Sequence, residues 1–175
     1  DILIKLSTET PLEPLFLIRL QDENPGLSKK YIEQLEEILR YDLGNNGRTA
    51  LLRASPERAA LADKEKFTDS FDTDTWKKLG TKYVVRAFFS NKKMSIKTFI
   101  VKNESVKVIK DIPFSGTLTT DRKNIHRIAD IIHKMLFNKP GIASTRILYS
   151  LRERKNSNES SKWSSEIWEC DYDGA

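Results

Sequence analysis

The chain has 175 residues, of which 38% are hydrophobic and 31% charged, and its formal net charge is +5. A chain of this length can bury a core without staples, and its single cysteine excludes an internal disulfide. No apolar run approaches the ~20 residues of a membrane span and no signal peptide is visible, which fits a cytosolic protein or a secreted protein in its mature form.

The two halves of the chain differ in charge. Residues 1–80 hold 12 Lys and Arg against 15 Asp and Glu, a balance of −3, whereas residues 81–175 hold 18 against 10, a balance of +8. A basic half can attract nucleic acid, anionic lipid or an acidic protein. Because the positive charges are spread over predicted strands, loops and a helix, we favour a solvated lysine-rich surface, with nucleic-acid binding as the alternative.

The first part of the chain predicts two strands and a long helix. Residues 2–6 alternate in polarity, and residues 15–18 are continuously apolar, which is typical of a strand covered on both faces. Residues 21–26 carry turn chemistry and predict a loop. Ser28 is a good N-cap for a helix with apolar residues at helical spacing, and Gly44 is a good stop.

Shorter elements are predicted before the middle of the chain. Residues 50–52 indicate a short strand, and Ser55-Pro56 is typical of a helix start. Residues 64–72 are polar and predict a flexible connection. A second short helix, capped by Asp72 or Thr73, is expected to stop at Gly80.

The middle of the chain predicts an antiparallel meander followed by the second long helix. Residues 83–89 are apolar on both faces and indicate a central strand, with further strands at 94–101 and 106–112. Helical spacing of Ile and Leu runs through residues 121–137. Residues 145–151 are predicted to form a last core strand.

The end of the chain predicts a linker and the beginning of another domain. Residues rich in Lys, Asn, Ser and Glu follow the last core strand, and a strand with an Asp-Gly turn closes the sequence. We therefore predict an α/β domain at 1–152, a linker at 153–164, and the first strand of a β-domain at 165–175.

Few residues suggest catalytic or metal chemistry. His126, Asp130 and His133 share one face of the second long helix, where they could bridge a divalent metal, but that face is predicted to be the solvent side and an ordinary polar surface is favoured. Cys170 lies in an alternating strand, which disfavours a catalytic thiol. No phosphate-cradling glycine loop or serine elbow is present in the sequence, so we predict a non-catalytic protein without a cofactor.

The predicted central strand also carries aromatic residues that could form a platform for nucleic acid. Phe88 and Phe89, beside Arg86, could stack on single-stranded RNA. Adjacent strand residues face opposite ways, so at least one ring points into the core, and core packing is the favoured interpretation.

Four segments in order resemble the TolB family. Residues 1–6 are similar to the mature start of that family, and residues 75–85 to its Trp-x-x-Leu-Gly element before the central strand. Residues 141–149 are similar to its Gly-Ile/Thr-Arg-Ile-x-Tyr element. Residues 169–174 look like the Asp-Tyr-Asp-Gly that opens its β-propeller, so the likeness covers the whole chain and the predicted last strand.

The resemblance implies a non-catalytic periplasmic scaffold of the Tol–Pal envelope system, peripheral to the membranes and serving envelope integrity and cell division. It implies that an N-terminal strand docks on the C-terminal domain of TolA, with the Pal lipoprotein contacted mainly through a propeller. The TolA-binding residues would be Asp1, Ile2, Leu3, Ile4, Lys5, Leu6, Ser7 and Thr8. For the fold we expect a five-stranded mixed sheet with two long helices on one face, similar to an anticodon-binding domain. A metal-dependent enzyme and a nucleic-acid-binding domain are the competing classes.

Overall fold

The structure is a computed structural model, and it describes residues 11–23, 26–65, 70–154 and 163–174. The predicted first strand at residues 2–6 lies outside this part of the chain. The strands are β1 (Glu13–Leu17), β2 (Gln21–Asp22), β3 (Thr49–Leu51), β4 (Tyr83–Ser90), β5 (Lys93–Ile100), β6 (Ser105–Pro113), β7 (Arg146–Arg154) and β8 (Trp163–Asp171). The helices are α1 (Lys29–Gly44), α2 (Pro56–Lys64), α3 (Thr73–Lys78) and α4 (Leu118–Phe137).

Strands β1 to β6 form one mixed sheet in the order β3-β1-β4-β5-β6, and the two-residue β2 pairs with β4 beyond the end of β1. Strand β1 pairs in parallel with β3 and β4. The helices between these strands return the chain to the same end of the sheet, so each strand runs in the same direction. The β4-β5-β6 meander is antiparallel. The predicted α/β class and the central position of β4 are therefore confirmed.

Side-chain caps fix the starts of three helices as the sequence predicts. The Ser28 hydroxyl accepts a hydrogen bond of 3.2 Å from the amide of Tyr31, the third residue of α1. Ser55 caps α2 in the same way, and the Asp72 carboxylate accepts from Thr75 at the start of α3. Each cap satisfies one of the amides that a helix N-terminus leaves without a partner.

The sheet carries a hydrophobic core on each face. Helices α1 and α4 pack on one face and bury the larger core with side chains that alternate along the strands, such as Val85, Ala87 and Phe89 of β4. The opposite residues, Val84 among them, form a smaller core with α2 and with Trp76 of α3. The predicted packing of both long helices on one face is confirmed.

Strands β7 and β8 form a separate hairpin, so the prediction of a last core strand at residues 145–151 is wrong. Strand β7 pairs with β8 along nine residues, from Arg146 opposite Asp171 to Arg154 opposite Trp163. The apolar residues of β7 fit a buried strand equally well, but their partner strand follows in the sequence and both sides of the hairpin stay exposed. Strand residues also occupy both ends of the predicted linker at 153–164, and the division into domains stays a prediction.

The predicted flexible connection at 64–72 is partly fixed. Glu65 in this segment is 6% exposed, and its carboxylate accepts hydrogen bonds from the amide of Asp72 (2.6 Å) and the indole of Trp76 (2.9 Å). A polar sequence therefore conceals a buried side chain that ties the end of α2 to α3.

Candidate interaction site at the helix pair and the terminal turn

The predicted TolA-binding residues 1–8 lie outside the described part of the chain. The structure does show how the chain enters the sheet just after them, at Glu13. The Glu13 carboxylate accepts a hydrogen bond of 2.8 Å from the Tyr83 hydroxyl and lies 3.3 Å from the Lys82 ammonium group. Burial, together with the hydrogen bond to Glu13, raises the pKa of Tyr83 to about 12. This entry point is therefore firmly held between β3 and β4.

The three candidate metal-binding residues lie on α4, which packs against α1. The prediction that they share a solvent-facing side of this helix is wrong, because both histidines are buried. His126 is 3% exposed and His133 is 6% exposed. Both flank the isoleucine stripe closely enough to be covered when α1 packs against it, because a stripe wider than 100° is buried at a helix–helix contact.

Each of these three side chains has its own partner. The Asp130 carboxylate accepts hydrogen bonds from the amides of Ala143 (2.8 Å) and Ser144 (3.0 Å), which fixes the loop before β7. His133 Nδ1 lies 3.1 Å from the carbonyl oxygen of Lys139. Within the described ranges, no group of three or more His, Cys, Asp and Glu side chains is arranged to hold a metal ion.

His126 lies at the centre of a buried polar cluster that joins α1, α4 and the end of β8. Its Nδ1 donates to Asp42 Oδ2 of α1 at 2.8 Å, and its Nε2 lies 3.7 Å from Asp173 Oδ2 in the turn that follows β8. The guanidinium group of Arg122, one turn earlier on α4, pairs with the same Asp173 oxygen and lies 3.9 Å from Asp171. The imidazole therefore lies between two carboxylates.

The same turn is fixed by an aromatic contact. The Tyr172 hydroxyl donates to the carbonyl of Asn45 at the end of α1, and its ring meets Tyr41 edge-to-face with the centroids 6.0 Å apart. We call residues 171–174 the terminal turn, and we call the surface made by Tyr41, Asp42, Arg122 and His126 the socket. The terminal turn thus docks through two carboxylates and one phenol.

Burial governs the electrostatics of this cluster. Burial raises the pKa of the Asp42 carboxyl, although the hydrogen bond from His126 opposes the effect. For His126, burial lowers the pKa, but the hydrogen bond to Asp42 and the charges of Asp42 and Asp173 outweigh it, so the net pKa lies above the ordinary value of 6.5. Several polar atoms remain without a hydrogen-bond partner among the described residues: Asp42 Oδ1, Arg122 Nε, His126 Nε2 and Asp173 Oδ1.

The β7–β8 hairpin exposes apolar side chains on both of its faces, because its paired residues share a face and successive residues alternate. Leu148 is 69% exposed and Ile167 is 83% exposed. Several further apolar side chains of the hairpin are between 39% and 51% exposed: Ile147, Tyr149, Leu151, Trp163 and Trp168. An exposed apolar surface of this density is typical of an interface.

The remaining candidates from the sequence occupy ordinary structural positions. Phe89 is fully buried, as the favoured core interpretation predicts, while the Arg86 guanidinium group lies 5.7 Å from the centre of the Phe88 ring and donates to the Glu65 carbonyl. Cys170 is a free thiol in β8. No helix in the described ranges is long and apolar enough to cross a membrane.

Sequence reasoning missed the cluster, although the sequence contained its signal. Asp42 falls on the apolar stripe of α1, between Leu39 and Leu43. A carboxylate on the buried face of one long helix, and a histidine beside the buried stripe of the other, predict that the two meet. The contribution of Asp173 could not be inferred, because it depends on the course of the hairpin.

The fold and the site together define a mixed α/β domain whose long-helix pair receives the acidic turn of an appended β-hairpin. Over 173 residues the chain is 36% identical to a TolB homolog of Protochlamydia amoebophila (strain UWE25). The aligned region covers 99% of this chain and 37% of that protein. These findings relate the chain to the TolB family, whose N-terminal domain it fits, as its four ordered motifs predict. No family model matches the chain.

Two further comparisons agree. A TolB homolog of Chlamydia muridarum (strain MoPn / Nigg) is 40% identical over 63 residues, which are 36% of this chain and 14% of that protein. The crystal structure of TolB from Acinetobacter baumannii has a TM-score of 0.60 and 18% identity, covering 94% of this chain and 37% of that one, and so shares the fold. The chain spans 37% of the length of the Protochlamydia amoebophila relative.

Proposed function

We propose that the chain is a non-catalytic scaffold segment of a Tol–Pal envelope system and that it works in the periplasm. The observation that carries the proposal is the 36% identity to a TolB homolog along 99% of the chain. The likeness in fold to TolB from Acinetobacter baumannii supports it independently of sequence identity. On this proposal the protein acts through its surfaces, and its partners are the C-terminal domain of TolA and the Pal lipoprotein. Pal would be bound mainly by the part of the TolB relatives that this chain does not span.

The proposed TolA-binding site is the segment Asp1 to Thr8. An extended segment that joins the edge of a partner's sheet gains affinity from backbone hydrogen bonds, and its alternate side chains set the register. Ile2, Ile4 and Leu6 would form the face that contacts the partner. The firm anchoring of Glu13 supports this arrangement, because it gives the segment a fixed point of attachment.

Isothermal titration calorimetry against the C-terminal domain of TolA from the same organism tests the site. Binding that requires residues 1–8 would support the proposal, and equal affinity of the intact and shortened chains would overturn the assignment of the site. Absence of binding by both forms would count against TolA as the partner. Circular dichroism of the shortened chain would check that the domain still folds.

A matched pair of substitutions distinguishes binding as a strand in a defined register from nonspecific hydrophobic binding of residues 1–8. Ile4→Ser removes a side chain from the proposed contact face, and Lys5→Ser alters the neighbouring, opposite face. Burial of an isoleucine stabilises by about 1.5–3 kcal/mol, so Ile4→Ser is expected to weaken binding by about tenfold or more. Lys5→Ser is expected to change the affinity by less than about threefold. Equal effects would contradict the alternating register.

We further propose that the hairpin belongs to a second, β-rich unit, which extends the assignment of residues 165–175 to that unit. Strand β7 pairs with β8 and with no strand of the main sheet in the described ranges. The exposed side chains of Leu148 and Ile167 are the surface that further strands would cover. A chain shortened after Ser144 is therefore expected to unfold cooperatively, whereas loss of its near-ultraviolet dichroism would place β7 in the first domain.

A further inference from the structure

We propose that the terminal turn and the socket form a pH-sensitive latch, in which protonated His126 holds the carboxylates of Asp42 and Asp173 together and thereby fixes the hairpin on the helix pair. The inference does not depend on the identity of any external partner. It rests on the geometry of one imidazole between two buried carboxylates, Asp42, which lies 84 residues before His126, and Asp173, in the turn that follows β8.

The charges that meet at the latch come from every element around it. Helix α1 contributes Asp42 and the Tyr41 phenol, and α4 contributes Arg122 and His126. The terminal turn contributes Asp171 and Asp173 with Tyr172. The first residue of β7 and the end of β8 add the ion pair of Arg146 with Glu169, and Arg146 also lies 4.0 Å from Asp171. Lys123, Arg127 and Asp130 lie at the border of the cluster on α4.

Docking of the turn increases the need for positive charge at His126. The turn brings two carboxylates to a socket that already holds Asp42, and Arg122 is the cation in direct contact with Asp173. A neutral imidazole that donates to Asp42 through Nδ1 presents the lone pair of Nε2 to Asp173, which is repulsive. A protonated imidazole carries a hydrogen on both ring nitrogens, so it still donates to Asp42 through Nδ1 and also turns a positive N–H toward Asp173, whose carboxylate lies 3.7 Å from Nε2.

This arrangement fixes the direction of the pH effect. Asp173 raises the pKa of His126 in the docked state, so docking is strongest when His126 is protonated. Because Asp42 faces His126 whether or not the turn is docked, the contribution of His126 to docking is fully present below the pKa that His126 has in the undocked domain. It is lost as the pH rises through the higher pKa of the docked state. A cavity of about 190 Å³, lined by His126, Arg146 and Asp171 among others, lies beside the imidazole.

Nuclear magnetic resonance of His126 tests the latch. The whole chain is titrated as wild type and as Asp173→Asn. The pKa of His126 is expected to fall by about 1 in Asp173→Asn, because a neighbouring opposite charge is removed. An unchanged His126 pKa would overturn the proposal.

A second readout follows the turn itself. Amide hydrogen exchange of residues 171–174, corrected for the intrinsic effect of pH, is expected to accelerate about tenfold or more between pH 6 and pH 9 in the wild type. His126→Gln is expected to abolish this pH dependence. Tyr172→Phe removes a hydroxyl but no charge, so it is expected to weaken docking at every pH while the pH dependence remains. Exchange that is independent of pH in the wild type, or dependence that persists in His126→Gln, would contradict the latch.

Discussion

The indole nitrogen of Trp76 donates a hydrogen bond of 2.9 Å to the carboxylate of Glu65, at a place where both side chains are buried. The second carboxylate oxygen accepts from the amide of Asp72, the residue that caps α3. One acidic side chain therefore satisfies a buried indole and a partly buried amide, and it joins the end of α2 to the start of α3. This relationship explains how a small helix of six residues holds the largest side chain of the second core.

Glu65→Ala is expected to lower the free energy of unfolding by about 2–3 kcal/mol, because it leaves the indole and the Asp72 amide without an acceptor. Glu65→Gln retains one acceptor and is expected to cost about 1 kcal/mol. Burial raises the pKa of Glu65, so the folded state favours the protonated carboxyl and the wild type is expected to lose stability as the pH rises above about 4.5. Glu65→Gln does not titrate and is expected to show no such loss. Urea denaturation between pH 4 and pH 7 measures both effects. Equal stability of the two variants would contradict this role of the carboxylate.

The contact of Tyr31 with Asp121 predicts an acid-sensitive link between the long helices. Burial alone would raise the pKa of Asp121, but hydrogen bonds from the Tyr31 hydroxyl at 2.5 Å, from Ser115 and from the Gly116 amide outweigh burial and lower it. The stabilisation is therefore present above the ordinary pKa of 3.8 and is lost as the pH falls through the lowered value.

Asp121→Asn is expected to flatten the acid limb of the stability curve below about pH 4, and Tyr31→Phe to cost about 1.5 kcal/mol at pH 7. Thermal unfolding followed by circular dichroism from pH 2 to pH 7 provides the measurement. Asn124→Ala is a suitable control, because its amide makes only a long contact of 3.4 Å with Asp121. An acid limb that is as steep in Asp121→Asn as in the wild type would refute the link.

Two glycine substitutions are expected to act in opposite directions. A Cβ on Gly141 would lie 2.2 Å from Asp130 Oδ1 and 2.7 Å from Asp130 Cα, so Gly141→Ala must displace the carboxylate that fixes the loop before β7. A loss of about 2 kcal/mol is expected from the hydrogen bonds that are disturbed. Gly44→Ala, at the end of α1, meets only ordinary contacts with Leu51 and is expected to stabilise by about 0.5–1 kcal/mol. Chemical denaturation of the pair decides the sign of each change.

Two isoleucines separate the core from the hairpin surface. Ile132 of α4 is fully buried between the long helices, whereas Ile167 of β8 is 83% exposed. Ile132→Ala is expected to cost about 2–5 kcal/mol through the lost burial and the cavity that remains, and Ile167→Ala less than about 0.5 kcal/mol. A comparable loss in Ile167→Ala, measured by guanidinium denaturation, would show that the hairpin is covered in solution.

The local chemistry of the chain makes most of the fold predictable. Caps at Ser28, Ser55 and Asp72 mark helix starts because they satisfy amides within the next three residues. The apolar strand β4 is central because both of its faces are covered. The resemblance to the TolB family was equally predictable, since its motifs lie in order along the whole chain.

The remaining features depend on contacts between distant parts of the chain. Periodicity cannot tell a buried strand from an exposed one when both are apolar, and for this reason β7 is mistaken for a core strand. Likewise, His126 is placed on the solvent face because its own helix gives no sign of Asp42, which lies 84 residues earlier. The contact with Asp42, which allows His126 to be both buried and charged, arises only from the tertiary structure.

The terminal turn is attached to the same chain as its socket, and the hydrogen bond from Tyr172 to Asn45 closes a loop of 127 residues. The turn therefore behaves as a tethered ligand, whose local concentration near the socket is in the range of about 1 mM or above. Contacts that would bind a free peptide only weakly suffice to keep it in place. The same tether lets two copies exchange their turns at high protein concentration, which gives a swapped dimer with native contacts in both sockets.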